Sequence, residues 1–264
     1  MGHLGNPAAR TPVLDEWART DAVSFRNAFC QNPVCTPSRC SFMTGWYPHV
    51  RGHRTMFHML RPDEPCLLKT LKDDGYFVWW GGKNDLVPAQ NGFDAYCDIK
   101  YTPTEPPKPM FAMDRAAEWR GDPGSDTYYS FHAGRLDTGG EDIYRDGDWA
   151  NVLGAIDFIR SYDGDQPLCI YLPLTYPHPP YGVEDPWYSV IDREALPPRV
   201  PAPEDWSGKP SLLSQLQERQ NLRGWDESRW DELRATYLGM CARVDHQFGL
   251  LLDALREAGM YDDS

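Results

Sequence analysis

The sequence contains no apolar run near the roughly 20 residues needed to cross a bilayer, so no membrane-spanning helix is expected. Its first residues, MGHLGNPAARTP, lack the charged-then-apolar layout of a secretory leader. Cysteine is sparse and odd in number. Seven thiols cannot all pair, and they are too dilute for a disulfide scaffold. Reduced thiols are the default; this leans towards a cytoplasmic setting and leaves the compartment unassigned. Basic residues are in deficit, 26 against 39 acidic, for a net charge of −13. An average surface of that sign repels nucleic acid and anionic membranes, which leaves room only for a local basic pocket that takes a small anion. No internal repeat or low-complexity block is visible.

What is abundant is proline, with 24 residues, roughly twice the usual share of about 5%. Long ordered loops are therefore expected around a core that 264 residues can readily build. Thr11-Pro12 reads as the start of a short helix through Leu14, Trp17 and Ala18. Val23 to Phe29 reads as a strand. A second Thr-Pro pair, Thr36-Pro37, opens a helix stopped by Gly45, and Pro65 to Asp74 forms another stopped by Gly75. Tyr76 to Trp80 is a continuous apolar run ending at Gly81-Gly82, the pattern of a strand buried on both faces. An inserted excursion rich in Pro, Gly and aromatic residues spans about 101–147. Helix returns at Asp148 to Tyr162, a second buried strand at Leu168 to Leu174, and a long helix from about Arg229 to Ala258. This alternation predicts an α/β fold with a mostly parallel sheet flanked by helices, and in such sheets ligands sit beyond the carboxyl ends of the strands. The chain reads as incomplete at both ends.

The chemistry concentrates at Asn32-Pro33-Val34-Cys35-Thr36-Pro37-Ser38-Arg39. Cys35 lies just before a helix N-terminus, where the dipole and unpaired N–H groups favour an anion, and Arg39 adds a fixed positive charge one turn on. That setting suits a reactive thiol or a bound sulfate or phosphate equally. Cys35 read alone is a buried thiol. Cys30, Cys35 and Cys40 recur every five residues, which is not the Cys-x-x-Cys form of a zinc site. Cys66, Cys97, Cys169 and Cys241 read as core thiols. His49, His53 and His58 read as ordinary loop residues.

Cys35-Thr36-Pro37-Ser38-Arg39 followed by Met43-Thr44-Gly45 resembles the signature of the sulfatases, whose cysteine is oxidised to formylglycine. Thr11-Pro12 with Leu14-Asp15, Phe25 to Phe29, Gly82-Lys83, Pro177-His178-Pro179-Pro180, and Val244-Asp245 through Asp262 resemble further segments of the same family, so the likeness runs along nearly the whole chain. It implies the alkaline-phosphatase-like fold for residues 1–264, read as the N-terminal part of one catalytic domain. It also implies a sulfuric ester hydrolase acting through a formylglycine made from Cys35 by a formylglycine-generating enzyme. Arg39 would stabilise the hydrated aldehyde, and Lys83 and His178 would hold the sulfate of a small-molecule or carbohydrate ester. A divalent cation, calcium in most of the family, would be held here only through the formylglycine oxygen of Cys35. The family's two carboxylate pairs lie outside this chain, and the piece alone is expected to be inactive.

One departure stands inside the signature set. The family usually has histidine two places after the lysine, and here Asp85 takes that place; a carboxylate donates no hydrogen bond unless protonated. This keeps two rivals open: a phosphonate or phosphate ester hydrolase of the same superfamily, and a non-catalytic homologue that binds sulfated ligands. The sequence leaves the oligomeric state unassigned.

Overall fold

The structure is a computed structural model that describes residues 1–105, 107–108, 120–123, 125–201, 203, 205–220 and 224–264. Its principal elements are helices α1 (Pro12–Thr20), α2 (Cys35–Thr44), α3 (Pro48–Arg51) and α4 (Leu67–Asp73), then strands β1 (Phe77–Trp80) and β2 (Ile99–Lys100). There follow α5 (Asp126–Ser130), β3 (His132–Arg135), α6 (Gly147–Ser161), β4 (Leu168–Tyr171), β5 (Tyr181–Val183), α7 (Ser211–Gln220) and α8 (Glu227–Glu257). They group into two compact units. One comprises Met1–Val23, Pro107–Asp146 and Tyr176–Leu250; the other comprises Ser24–Pro106, Gly147–Thr175 and Leu251–Ser264.

The second of these units carries a three-stranded parallel sheet in the order β2-β1-β4. β1 lies in the middle, which is why Phe77-Val78-Trp79-Trp80 has no polar alternation: both faces are covered. Period-two geometry sends Phe77 and Trp79 to one face, where they meet Phe158 of α6 at ring-centroid distances of 5.6 and 6.1 Å. Val78 and Trp80 point the other way, into a core with Cys40 and Met43 of α2, Leu68 of α4, and Leu60, Leu86 and Val87. Two helical layers thus sandwich the sheet. Gly154 is needed in α6 because a Cβ there would stand 2.2 Å from the Tyr101 ring.

In the other unit, β3 pairs in parallel with β5, with a bulge between His132 and Gly134. Tyr176, Val183 and Met240 form its buried centre, packed against Leu136, Tyr144, Tyr181, Trp187 and Val244. α1 does begin after Thr11, but the Thr11 hydroxyl turns to Asp15 Oδ1 at 3.0 Å and caps nothing. The first-turn amides of Val13 and Leu14 instead donate to the carboxylate of Asp245 on α8, at 3.0 and 2.8 Å. Burial pushes the Asp245 carboxyl above its ordinary pKa, and those two amides offset part of the rise. α8 also buries Arg243. Its guanidinium is fully enclosed, holds Asp146 through two bonds of 2.7 Å, approaches Glu184 at 3.4 Å and lies 4.2 Å from the Tyr176 ring centre. Burial opposes the charge on Arg243, yet Asp146 and Tyr176 lift its pKa above the usual guanidinium value.

Three expectations need correction. Val23 to Phe29 is not a strand: Val23, Phe25 and Phe29 are 80%, 76% and 83% exposed, and apolar β-formers without a pairing partner gain nothing from extension. The strand at Leu168 stops at Tyr171, because Pro173 cannot donate to the ladder. α2 opens at Cys35 itself, two residues before the Pro37 start that the Thr-Pro pair suggests. Of the expected insertion at about 101–147, residues 106, 109–119 and 124 lie outside the described residues; the remainder includes α5 and β3. Among the described residues, no helix is long and apolar enough to cross a membrane.

Candidate active site

Cys35 stands in the first turn of α2, half-buried, with Val34 in extended conformation ahead of it and Gly45 closing the helix at φ 72°. Two apolar anchors, Cys40 and Met43, fix the inner face of α2 in the core and leave its first turn at the rim. First-turn amides of a helix lack intrahelical acceptors, so this rim is positively polarised. Lys83 Nζ lies 3.8 Å from Cys35 Sγ. Arg39, four residues along α2, donates from Nη1 to the hydroxyl of Tyr171 at 3.2 Å. Burial raises the Tyr171 phenol above its ordinary pKa, and the Arg39 charge opposes that rise. The hydroxyl is therefore neutral and serves as an acceptor for the guanidinium.

Asp85 ties the two cations together. Its Oδ2 is 3.0 Å from Lys83 Nζ and 3.6 Å from Arg39 Nε, in a side chain only 12% exposed. The turn that presents it is braced by its neighbour. Asn84 Oδ1 accepts from the amides of Leu86 and Val87 at 3.2 and 3.1 Å, while its Nδ2 donates to the Val87 carbonyl at 2.8 Å. Leu86 and Val87 are both fully buried.

The Lys83 loop continues the β1–β4 pairing past the strand ends. Gly81 N donates to Tyr171 O at 3.1 Å, and Lys83 N to Pro173 O at 2.9 Å. Between them Gly82 takes φ +75° and gives its own N–H to Asn151 Oδ1 at 2.6 Å. A Cβ at Gly82 would stand 2.4 Å from the Pro173 carbonyl oxygen. Gly82→Ala is therefore expected to destabilise the protein by about 1–3 kcal/mol, read in a urea melt. An unchanged midpoint would show that the loop is not held as described.

The structure brings three of the four sequence-derived residues into one place: Cys35, Arg39 and Lys83. His178 belongs to the other unit. It is exposed on the loop between cis peptides at Tyr176-Pro177 and Pro179-Pro180, with Nδ1 2.6 Å from its neighbour's carbonyl, Pro179 O. Tyr171 escaped the sequence reading because an apolar strand residue gives no sign that its hydroxyl faces a cation. Of the other thiols, Cys40, Cys66 and Cys97 are buried, Cys169 and Cys241 are half-buried, and Cys30 is exposed. Burial pushes Cys40 to about 12, with Glu64 adding to the effect, and pushes Cys97 to about 11. Such thiols are unreactive.

The profile of the Sulfatase family matches residues 1–264. The chain belongs to the sulfatase family. Among curated sulfatases, it is 26% identical over 265 residues to the ulvan-active sulfatase of Formosa agariphila, covering 100% of this chain and 46% of that protein. Among solved structures, the phosphonate monoester hydrolase of Agrobacterium radiobacter superposes at a TM-score of 0.70 with 18% identity, covering 100% of this chain and 57% of that one. A protein solved in complex with its substrate D-glucosamine-2-N,6-O-disulfate superposes at 0.68 with 17% identity, covering 99% and 60%. The sulfatase chain described here spans about half the length of the curated relatives it matches. Its fold is alkaline-phosphatase-like, with parallel strands flanked by helices.

Sulfatases generally use a divalent cation together with formylglycine. The residues present do not fit such a cation. Among the described residues no three Asp, Glu, His or Cys side chains converge. The Asp85 carboxylate is engaged by Lys83 and Arg39, and two nearby positive charges repel a hard cation that wants several oxygens.

Proposed function

We propose that the protein to which this chain belongs hydrolyses sulfate esters, with carbohydrate sulfates as the substrate class and position 35 as the reacting residue. The observation that carries this reading is the approach of Lys83 to Cys35 at 3.8 Å beside Arg39. A half-buried side chain at a helix start, flanked by two cations, is suited to an anion in an otherwise acidic protein. The chain's membership of the sulfatase family and the disulfated sugar bound by a protein of the same fold support the choice of sulfate. In this reading residues 1–264 form part of one catalytic domain, with the insertion at about 101–147 as a loop excursion.

Formylglycine at position 35, installed by a formylglycine-generating enzyme, would supply a hydrated aldehyde, with one hydroxyl as nucleophile towards sulfur and the other able to lose its proton so that the carbonyl re-forms and sulfate is released. The chain's own residues do the holding. Lys83 donates to a sulfate oxygen, where negative charge is concentrated, and Arg39 keeps its guanidinium beside the reacting carbon because Tyr171 and Asp85 fix it from two sides. Lys83 also has a proton to give to the departing oxygen.

The test is mass spectrometry of the tryptic peptide Asn27–Arg39 from cells that express the cysteine-modifying enzyme. The expected result is the mass of the aldehyde. A peptide that always carries the free thiol would instead favour the non-catalytic sulfate-binding homologue. Aryl sulfate and phosphonate monoester assayed in parallel separate the sulfatase from the phosphonate hydrolase, which the same pair of cations could also serve; dominant phosphorus turnover overturns the sulfate reading.

A further inference from the structure

We propose that residues 23–29, together with the outer side of α2, form the surface on which the rest of the catalytic domain docks, and that the docking element is an apolar β-strand from outside residues 1–264. The inference rests on the reading that residues 1–264 are part of one larger catalytic domain. It is independent of the chemistry at position 35.

Every residue from 23 to 31 is exposed, and none of them belongs to a strand. Yet Val23, Phe25 and Phe29 all fall on odd positions, so extension turns them to one face and Ser24, Arg26 and Ala28 to the other. That is the pattern of a strand covered on one side. The segment is anchored beside α2. Cys30 Sγ donates to Ser38 Oγ at 3.2 Å, and Ser41 Oγ to Gln31 Oε1 at 3.1 Å, so the chain just past Phe29 runs along that helix. Ser41 Oγ also donates to Trp46 O at 2.7 Å. Phe42, one helical turn from Ser38, is 69% exposed, and Tyr47, next to Trp46, is 60% exposed. Cys40 and Met43 hold the inner side of α2 in the core. The helix thus carries apolar side chains on two sides, and those on the outer side stay in solvent.

A cluster of large exposed apolar side chains marks an interaction surface. Two observations choose its occupant. The chain covers 46% of the ulvan-active sulfatase and 57% of the superposed phosphonate hydrolase, so related domains hold about as much chain again outside the matched part. The alternating pattern suits an added strand, which supplies main-chain hydrogen bonds along the segment and an apolar cover for its odd positions. A strand of the same polypeptide is present at a high effective concentration, an advantage that a second copy lacks.

Hydrogen–deuterium exchange of the full-length protein, read by mass spectrometry over a range of protein concentrations, tests this. The amides of residues 24–29 are expected to exchange about a hundredfold or more slowly than in the urea-unfolded protein, at every concentration. Phe25→Ser and Phe29→Ser should each lower the urea midpoint of the full-length protein, because a covered phenylalanine cannot be removed without loss, whereas one in solvent moves the midpoint little. Exchange at the unfolded rate overturns the proposal. So does protection that appears only as the protein dimerises, which would give this face to a second copy. Unmoved midpoints in both variants overturn it too. A full-length protein without sulfate-ester turnover leaves this result standing, and rapid exchange here leaves the chemistry at position 35 standing.

Discussion

Cys35→Ala is expected to lower sulfate-ester turnover by the full-length protein on the order of a thousandfold or more, because it removes the reacting group instead of a group that assists it. The same substitution should leave the melting transition nearly in place. Cys35 is only half-buried in the first turn of α2, while Cys40 and Met43 supply that helix's grip on the core. Alanine is also the best helix former, so the change should cost less than about 1 kcal/mol. The pair of readouts is diagnostic. Lost activity with an intact melt supports a chemical role, whereas activity near that of the wild type would show that the nucleophile lies elsewhere. Lost activity together with a collapsed melt would mean that the side chain is structural.

The largest effect on stability is expected far along the sequence, at Arg243. Arg243→Met keeps much of the volume and the contact with the Tyr176 ring but removes the enclosed guanidinium that binds Asp146 and lies 3.4 Å from Glu184, so two buried carboxylates lose a shared cation. Breaking a buried ion cluster from one side costs about 3–5 kcal/mol, a large part of the stability of a typical domain. Equilibrium urea unfolding measures it. A loss below about 1 kcal/mol would show that the carboxylates take up protons or water at little cost. Replacing Arg243, Asp146 and Glu184 together by apolar residues of similar size should recover most of the loss, since the penalty comes from keeping buried carboxylates after their guanidinium is removed.

How much of this could be read from the sequence follows from what each signal measures. β1 was legible because five consecutive apolar residues before two glycines leave few other options, and α8 because its apolar residues recur at helical spacing over 31 positions. The stretch Val23 to Phe29 misled because β-propensity describes fit to a half-buried pleated surface, and these side chains face solvent. β3 and β5 are short and contain glycine, so they carry no periodic signal. At the candidate site, motif chemistry pointed to Cys35, Arg39 and Lys83, which lie close together. Tyr171 was not legible, nor was the capping of α1 by Asp245 from 231 and 232 residues away, because a long-range hydrogen bond leaves no local pattern. Arg243 lay hidden within an apolar stripe, where an arginine ordinarily reads as a residue of the solvated face.

The brace made by Asn84 has a consequence for how this loop can diversify. Because the turn is shaped by the residue before Asp85 and by two buried residues after it, its backbone course does not depend on the side chain at position 85. A lineage can therefore exchange one polar side chain for another there without rebuilding the scaffold that displays it.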